Sequence, residues 1–217
     1  MVIIKLNKKK GHFMNFGFRN EAFLVSLRET LQSYQGIVDF VISGILWEQV
    51  IKKAANTCGL EVTWNPNSHK RGWDMIIEEK KTSVKGGVET KDNYKFAAYR
   101  TTSEPLLADK ISMMQRDKRN FDCYLYLSKN KSGNNVKYTL WTFPANFCDF
   151  TSFQWTETEK AWKSNIVSGI QLSIVKSLSE QVWVRVNKDK MNQMGRRLFS
   201  WTIENENMGQ THKIVRK

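Results

Sequence analysis

Cysteine, proline and histidine each occur only three times in 217 residues. Cys58, Cys123 and Cys148 are odd in number and widely spaced, which fits neither a disulfide framework nor a zinc site. A reducing compartment, the cytoplasm of a prokaryotic-type cell, is the expectation. His12, His69 and His212 are too scattered for a metal cluster, although His69 stands in a loop just before an acidic segment. Scarce proline beside 12% aromatic residues argues against a disordered chain. Long apolar runs are missing: residues 37–47 form the longest, and Asp39 interrupts it, so no membrane span is expected. The opening MVIIKLNKKK has no extended apolar region after its charges, unlike a secretory leader. HExxH, Walker, GxGxxG and GxSxG motifs are all absent, which removes the commonest metalloprotease, nucleotide-hydrolase, dinucleotide and serine-hydrolase readings.

Positive charge is abundant. Lys and Arg total 34 against 21 Asp and Glu, a net +13. Such a balance calls for a polyanionic partner, nucleic acid before anionic membrane. The excess is largest beyond residue 130, with 13 basic and 7 acidic residues, whereas 61–130 carry 13 and 10. A length of 217 residues suits one self-sufficient domain, since domains run to roughly 100–200 residues. No linker or internal repeat divides it.

Residues 20–34 carry Phe23, Leu24, Leu27 and Leu31 at helical spacing, with Asn20 as N-cap. Residues 42–58 repeat the pattern and stop at Gly59. A strand is expected at 60–64, then a loop containing Pro66, then strand, charged segment and strand through WDMIIEEKKTSVKGG, with Gly86-Gly87 as a turn. Period predicts a helix at 106–114, a hairpin from 121–128 and 136–143 around KNKSGNN, and a strand pair at 170–175 and 181–187. The fold class is therefore α/β or α+β, one domain with a central mixed sheet flanked by helices.

The chemistry concentrates at 70–87. Asp74 opens the apolar run Met75–Ile77; Glu78, Glu79, Lys80 and Lys81 follow, then Thr82 and Ser83. Carboxylates beside a lysine in a basic protein suit metal-assisted phosphodiester cleavage. Carboxylate oxygens bind Mg2+, a hard cation. An ammonium stabilises charge building on the phosphate. A charged strand edge that discourages edge pairing would look much the same.

This pattern resembles the PD-(D/E)XK nuclease superfamily, which includes most type II restriction endonucleases. An acid there precedes a short strand, and an acid-X-lysine tripeptide follows. Asp74 matches the first acid and Glu79-Lys80-Lys81 the tripeptide, although Trp73 stands where the family has proline and only four residues separate Asp74 from Glu79. Glu78-Glu79-Lys80 fits the tripeptide equally well; the hydroxyl residues following at Thr82-Ser83 favour the first register. The resemblance implies an Mg2+-dependent, sequence-specific endonuclease of double-stranded DNA. Asp74 and Glu79 would be its metal ligands, Lys81 its charge stabiliser, and Glu48 an upstream helical acid at the site. The resemblance spans about 42–128, with no bearing on 131–217. Alternatives are a non-catalytic nucleic-acid binder and a structure-specific nuclease such as a junction resolvase. A palindromic site would match a two-fold homodimer.

Recognition is expected in WVRVNKDKMNQMGRR, residues 183–197. Arg185, Lys188, Lys190, Asn192, Gln193, Arg196 and Arg197 combine phosphate-binding cations with side chains suited to base edges. A solvated loop touching only phosphates is the plainer reading. Met191 and Met194 are wedge candidates there, though methionine more often fills a core. Lys8-Lys9-Lys10 forms a further basic arm, and the tryptophans Trp141, Trp155, Trp162, Trp183 and Trp201 are assigned mostly to the core.

Overall fold

A computed structural model describes residues 18–33, 45–65, 73–101, 104–133 and 135–204. Expectations on Lys8-Lys9-Lys10, His12, His69, His212 and the Pro66 loop lie outside those residues. The chain opens with α1 (Glu21–Ser33) and α2 (Ile45–Thr57), followed by β1 (Val62–Trp64), β2 (Met75–Ile77), β3 (Lys80–Glu89) and β4 (Asn93–Arg100). Helix α3 (Leu107–Asp117) leads to the hairpin β5 (Cys123–Ser132) and β6 (Asn135–Pro144). The meander β7 (Trp155–Glu157), β8 (Ala161–Val167), β9 (Ile170–Val175) and β10 (Gln181–Asn187) comes next, then α4 (Lys188–Met194) and β11 (Arg196–Glu204).

All eleven strands belong to one mixed sheet, in the order β11-β6-β5-β3-β4-β10-β9-β8-β7, with β2 paired to β3 and β1 to β2 off that path. Strand β5 runs parallel to β3 and every other pairing is antiparallel. A parallel neighbour needs a crossover, and α3 supplies it. The amphipathic faces of α1 and α2 bury Phe23, Leu27, Leu31, Trp47 and Ile51 against Met75, Ile77, Val84, Leu125 and Leu127. Across the sheet, α3 and α4 contribute Met113, Met114, Met191 and Met194 to a second cluster built on Phe96, Tyr124, Tyr126, Phe143 and Val184. Alternate residues of β5 serve opposite clusters, as the pleat requires. Buried Lys110 anchors α3, donating to the carbonyls of Thr101 and Glu104 and pairing with Glu180. None of the described helices is long and apolar enough to cross a membrane.

Two expectations change. Gly86-Gly87 is not a turn; both lie within β3. A Cβ on Gly87 would sit 2.2 Å from the Lys95 carbonyl oxygen, so glycine there permits β4 to approach. Met191 and Met194 are buried in the core and offer no wedge.

Candidate active site

Strands β2 and β3 form a hairpin closed by Glu78-Glu79 alone, with Ile77 opposite Lys80 and Met75 opposite Thr82. Both turn residues have positive φ, 48° and 64°. Two-residue loops of this handedness match the twist of the strands and normally use Asn-Gly or Asp-Gly. Glu78 earns its place elsewhere: its carboxylate accepts from the backbone N–H groups of Arg19 (2.8 Å) and Asn20 (2.6 Å), at the positive end of α1. Glu79 is exposed and strained in the left-handed region. Glu79→Gly is expected to raise stability by about 0.5–1 kcal/mol in chemical denaturation and to leave any cleavage activity intact. Loss of activity in that variant would return Glu79 to the site.

Asp74 lies where the sheet splits. On one side of β3, pairing with β2 covers residues 80–82 and pairing with β4 resumes at Gly87. The Asp74 carboxylate fills the gap. Its Oδ2 accepts from the Val84 N–H (2.7 Å) and the Ser83 hydroxyl (3.1 Å), and the Lys85 ammonium stands 3.6 Å away. No partner among the described residues engages Oδ1. The Asp74 side chain is 11% exposed and that of Lys85 23%, so the pair is sheltered yet reachable.

The other expected residues are distributed differently. Glu79 is not brought to Asp74: from Asp74 to the turn is about 13 Å of strand. Lys81 and Lys85 flank Ser83 on the face of β3 that Asp74 shares; Lys85 pairs with the carboxylate, whereas Lys81 forms no ion pair with it. Lys81 is exposed, and its N–H donates to the Asp122 carboxylate (2.8 Å), extending the β3–β5 ladder. Glu48 accepts from the Trp64 indole N–H at 2.5 Å; Trp64 pairs with Met75, the residue after Asp74. Trp64 and Met75 belong to the cluster under α1 and α2, however, so Glu48 approaches from that face. A cavity of about 1150 Å³ lies at the hairpin tip, lined by Glu78, Glu79, Lys80, Lys118, Arg119 and Asp122 among others, and not by Asp74 or Lys85. Two of its three acids, Glu78 and Asp122, accept from backbone N–H groups.

For a metal, no group of three or more His, Cys, Asp and Glu suited to hold one occurs among the described residues. A closed protein cage is thus absent there. Mg2+ commonly takes one or two carboxylates and fills its remaining positions with water and substrate phosphate oxygens. Asp74, with one oxygen uncommitted, meets that smaller requirement.

The expected recognition segment does not form one surface. Val184 and Val186 point into the cluster with Met191 and Met194, so Arg185 between them points to the opposite face, away from α4. Lys188 is tied to buried Glu89 at 2.9 Å. The Lys190 N–H is capped by Asn187, while Asn192 and Gln193 are exposed on α4, and Arg196 and Arg197 at the start of β11. Beside them, burial and then Glu89 hold the Tyr94 hydroxyl up at about 12, against the opposing charge of Arg197.

Lys85 escaped sequence reasoning, and Ser83 was read only as a hydroxyl residue trailing the tripeptide. The signal for Lys85 was the alternation of β3 itself. Compared with protein-family models, curated proteins and solved structures, the chain matches none.

Proposed function

We propose that the chain is an Mg2+-dependent endonuclease acting on double-stranded DNA, of the PD-(D/E)XK kind, with Asp74 and Lys85 at its hydrolytic centre. The observation that carries the reading is the carboxylate–ammonium pair, 3.6 Å apart in a break of the sheet. An acid at a short strand and a lysine on the next strand are parts this chemistry needs, while Glu48 meets the sheet from the opposite face. The net charge of +13 suits the polyanionic substrate.

In this account Asp74 would hold the metal, which when bound polarises the scissile phosphate and acidifies its water. Ser83 and the Val84 N–H hold Oδ2, which leaves Oδ1 for the metal. Lys85 orients the attacking water and stabilises the negative charge that develops on the phosphate oxygens. One departure from the family pattern stands out: Ser83 occupies the position, two before the lysine, where a second acid is expected. Ser83→Asp or Ser83→Glu is therefore an informative gain-of-ligand variant.

A plasmid incubated with the protein in Mg2+ and in EDTA tests the reading. Discrete fragments in Mg2+ and intact DNA in EDTA are expected. Cutting confined to branched DNA would indicate a junction resolvase instead. Binding without cutting in either condition would leave a nucleic-acid binder and refute the hydrolytic reading.

A further inference from the structure

Helices α1 and α2 cover the sheet only over β1, β2, β3, β5, β6 and β11. On that same face the other half of the sheet, β4, β10, β9 and β8, is covered by no described element. Register defines what this half displays. Residues whose neighbours enter the opposite cluster point outward here: Phe96, Val184 and Leu172 go in, so Lys95, Arg185 and Gln171 come out. One row across the strands reads Lys95, Arg185, Gln171, Ile166. The next reads Ala97, Trp183, Ser173, Lys163, and a third holds Arg100 beside Gln181.

We propose that this uncovered half-face, on the side of the sheet opposite to the Asp74–Lys85 pair, docks the phosphate backbone of a nucleic acid. It presents four cations, Lys95, Arg100, Lys163 and Arg185, all exposed. No Asp or Glu occupies any position of the three rows. Adjacent strands are about 4.8 Å apart and alternate residues about 7 Å, so each full row spans about 14 Å. A duplex strand carries one charge per about 3.4 Å of axis, so such a face meets several phosphates at once. The Lys95 ammonium lies 4.6 Å from the Trp183 ring centroid. That contact restricts Lys95 before any ligand arrives, which lowers the ordering cost of a phosphate contact. Gln171, Ser173 and Gln181 add neutral groups of the kind that bond phosphate oxygens.

The apolar content decides against other partners. Two exposed aliphatic residues lie on or beside the face, Ile166 (68%) and Val88 (51%), at opposite margins. A membrane-inserting surface or a protein–protein core needs a contiguous apolar patch at the centre. A flat cationic face with one aromatic ring suits a nucleic-acid backbone.

The test runs in EDTA, so it reads binding whether or not the protein cuts DNA, and its failure is separable from failure of the hydrolytic reading. Fluorescence anisotropy of a short labelled duplex is measured across a salt series for the wild type, Lys95→Ala/Arg185→Ala, and Arg28→Ala/Lys52→Ala. The last pair removes two cations from α1 and α2 as a charge control. The face variant is expected to lose about 2 from the salt slope and roughly 50-fold in affinity near 0.1 M. The control is expected to stay within about two-fold of wild type. Equal losses in both variants, or none in the face variant, would overturn the proposal. So would a larger effect of the same substitutions on binding to phosphatidylserine vesicles than on the duplex.

Discussion

Lys85→Met is expected to lower DNA cleavage by about 10²–10³-fold, the usual cost of removing one group that stabilises charge in the transition state. Methionine keeps most of the aliphatic stem and removes only the charge. Asp74 keeps the Ser83 hydroxyl and the Val84 N–H, so the fold survives the change. Lys81→Ala is expected to retain near-wild-type cleavage, because Lys81 is exposed and Lys85 is the lysine that pairs with Asp74. Single-turnover nicking of supercoiled plasmid in Mg2+ measures both variants. An inactive Lys81→Ala beside an active Lys85→Met would move the centre to the hairpin tip.

Gly87→Ala is expected to cost a large share of stability for a single methyl group. The new Cβ would meet the Lys95 carbonyl oxygen at 2.2 Å, the Tyr126 ring at 2.9 Å and the Phe96 Cβ at 3.0 Å. Its nearest obstacle is backbone of the neighbouring strand, which has no rotamer to escape into. Strands β3 and β4 must part, and their separation disturbs the aromatic cluster of Tyr94, Phe96 and Tyr126. A loss of about 3 kcal/mol or more is expected. For a domain of this size that is a fall in Tm of about 6–12 °C. Gly59→Ala serves as reference: its φ of 72° strains any side chain, but nothing lies within 4 Å of the added carbon. It should cost only about 1 kcal/mol. Equal Tm shifts for the two would mean that β4 does not approach β3 as described. Because Gly87 is where β4 joins β3, the same contact sets the break that shelters Asp74 and Lys85.

Periodicity carried the sequence reading where one face of an element is buried and the other is wet. Phe23, Leu27 and Leu31 marked α1 within one residue at either end. The alternating runs of β9 and β10 were bounded as observed. It failed where composition pointed the other way. Two glycines in succession read as a turn, whereas β3 runs through them to Glu89 because another strand needs the space. Two glutamates read as strand or charged segment, whereas they form the turn, the first of them held by the N-terminus of α1. With the turn at Glu78-Glu79, the lysine that pairs with Asp74 is Lys85. Strand β4 alternates Tyr94, Phe96 and Ala98 inward, and that pattern went unread between two polar turns. The open face of Lys95 and Arg185 was invisible for a different reason. It depends on which strands lie side by side, and pairing between β4 and β10, some ninety residues apart, leaves no local trace.

The most direct measurement compares wild type and Asp74→Asn on supercoiled plasmid, in Mg2+ and in EDTA, with DNA binding measured in parallel. Asparagine keeps an oxygen to accept from Ser83 and Val84 while removing the charge that pairs with Lys85 and would hold the metal. The account predicts cleavage by the wild type in Mg2+ alone, none by Asp74→Asn, and the same affinity for DNA in both. Cleavage by Asp74→Asn at the wild-type rate would contradict it.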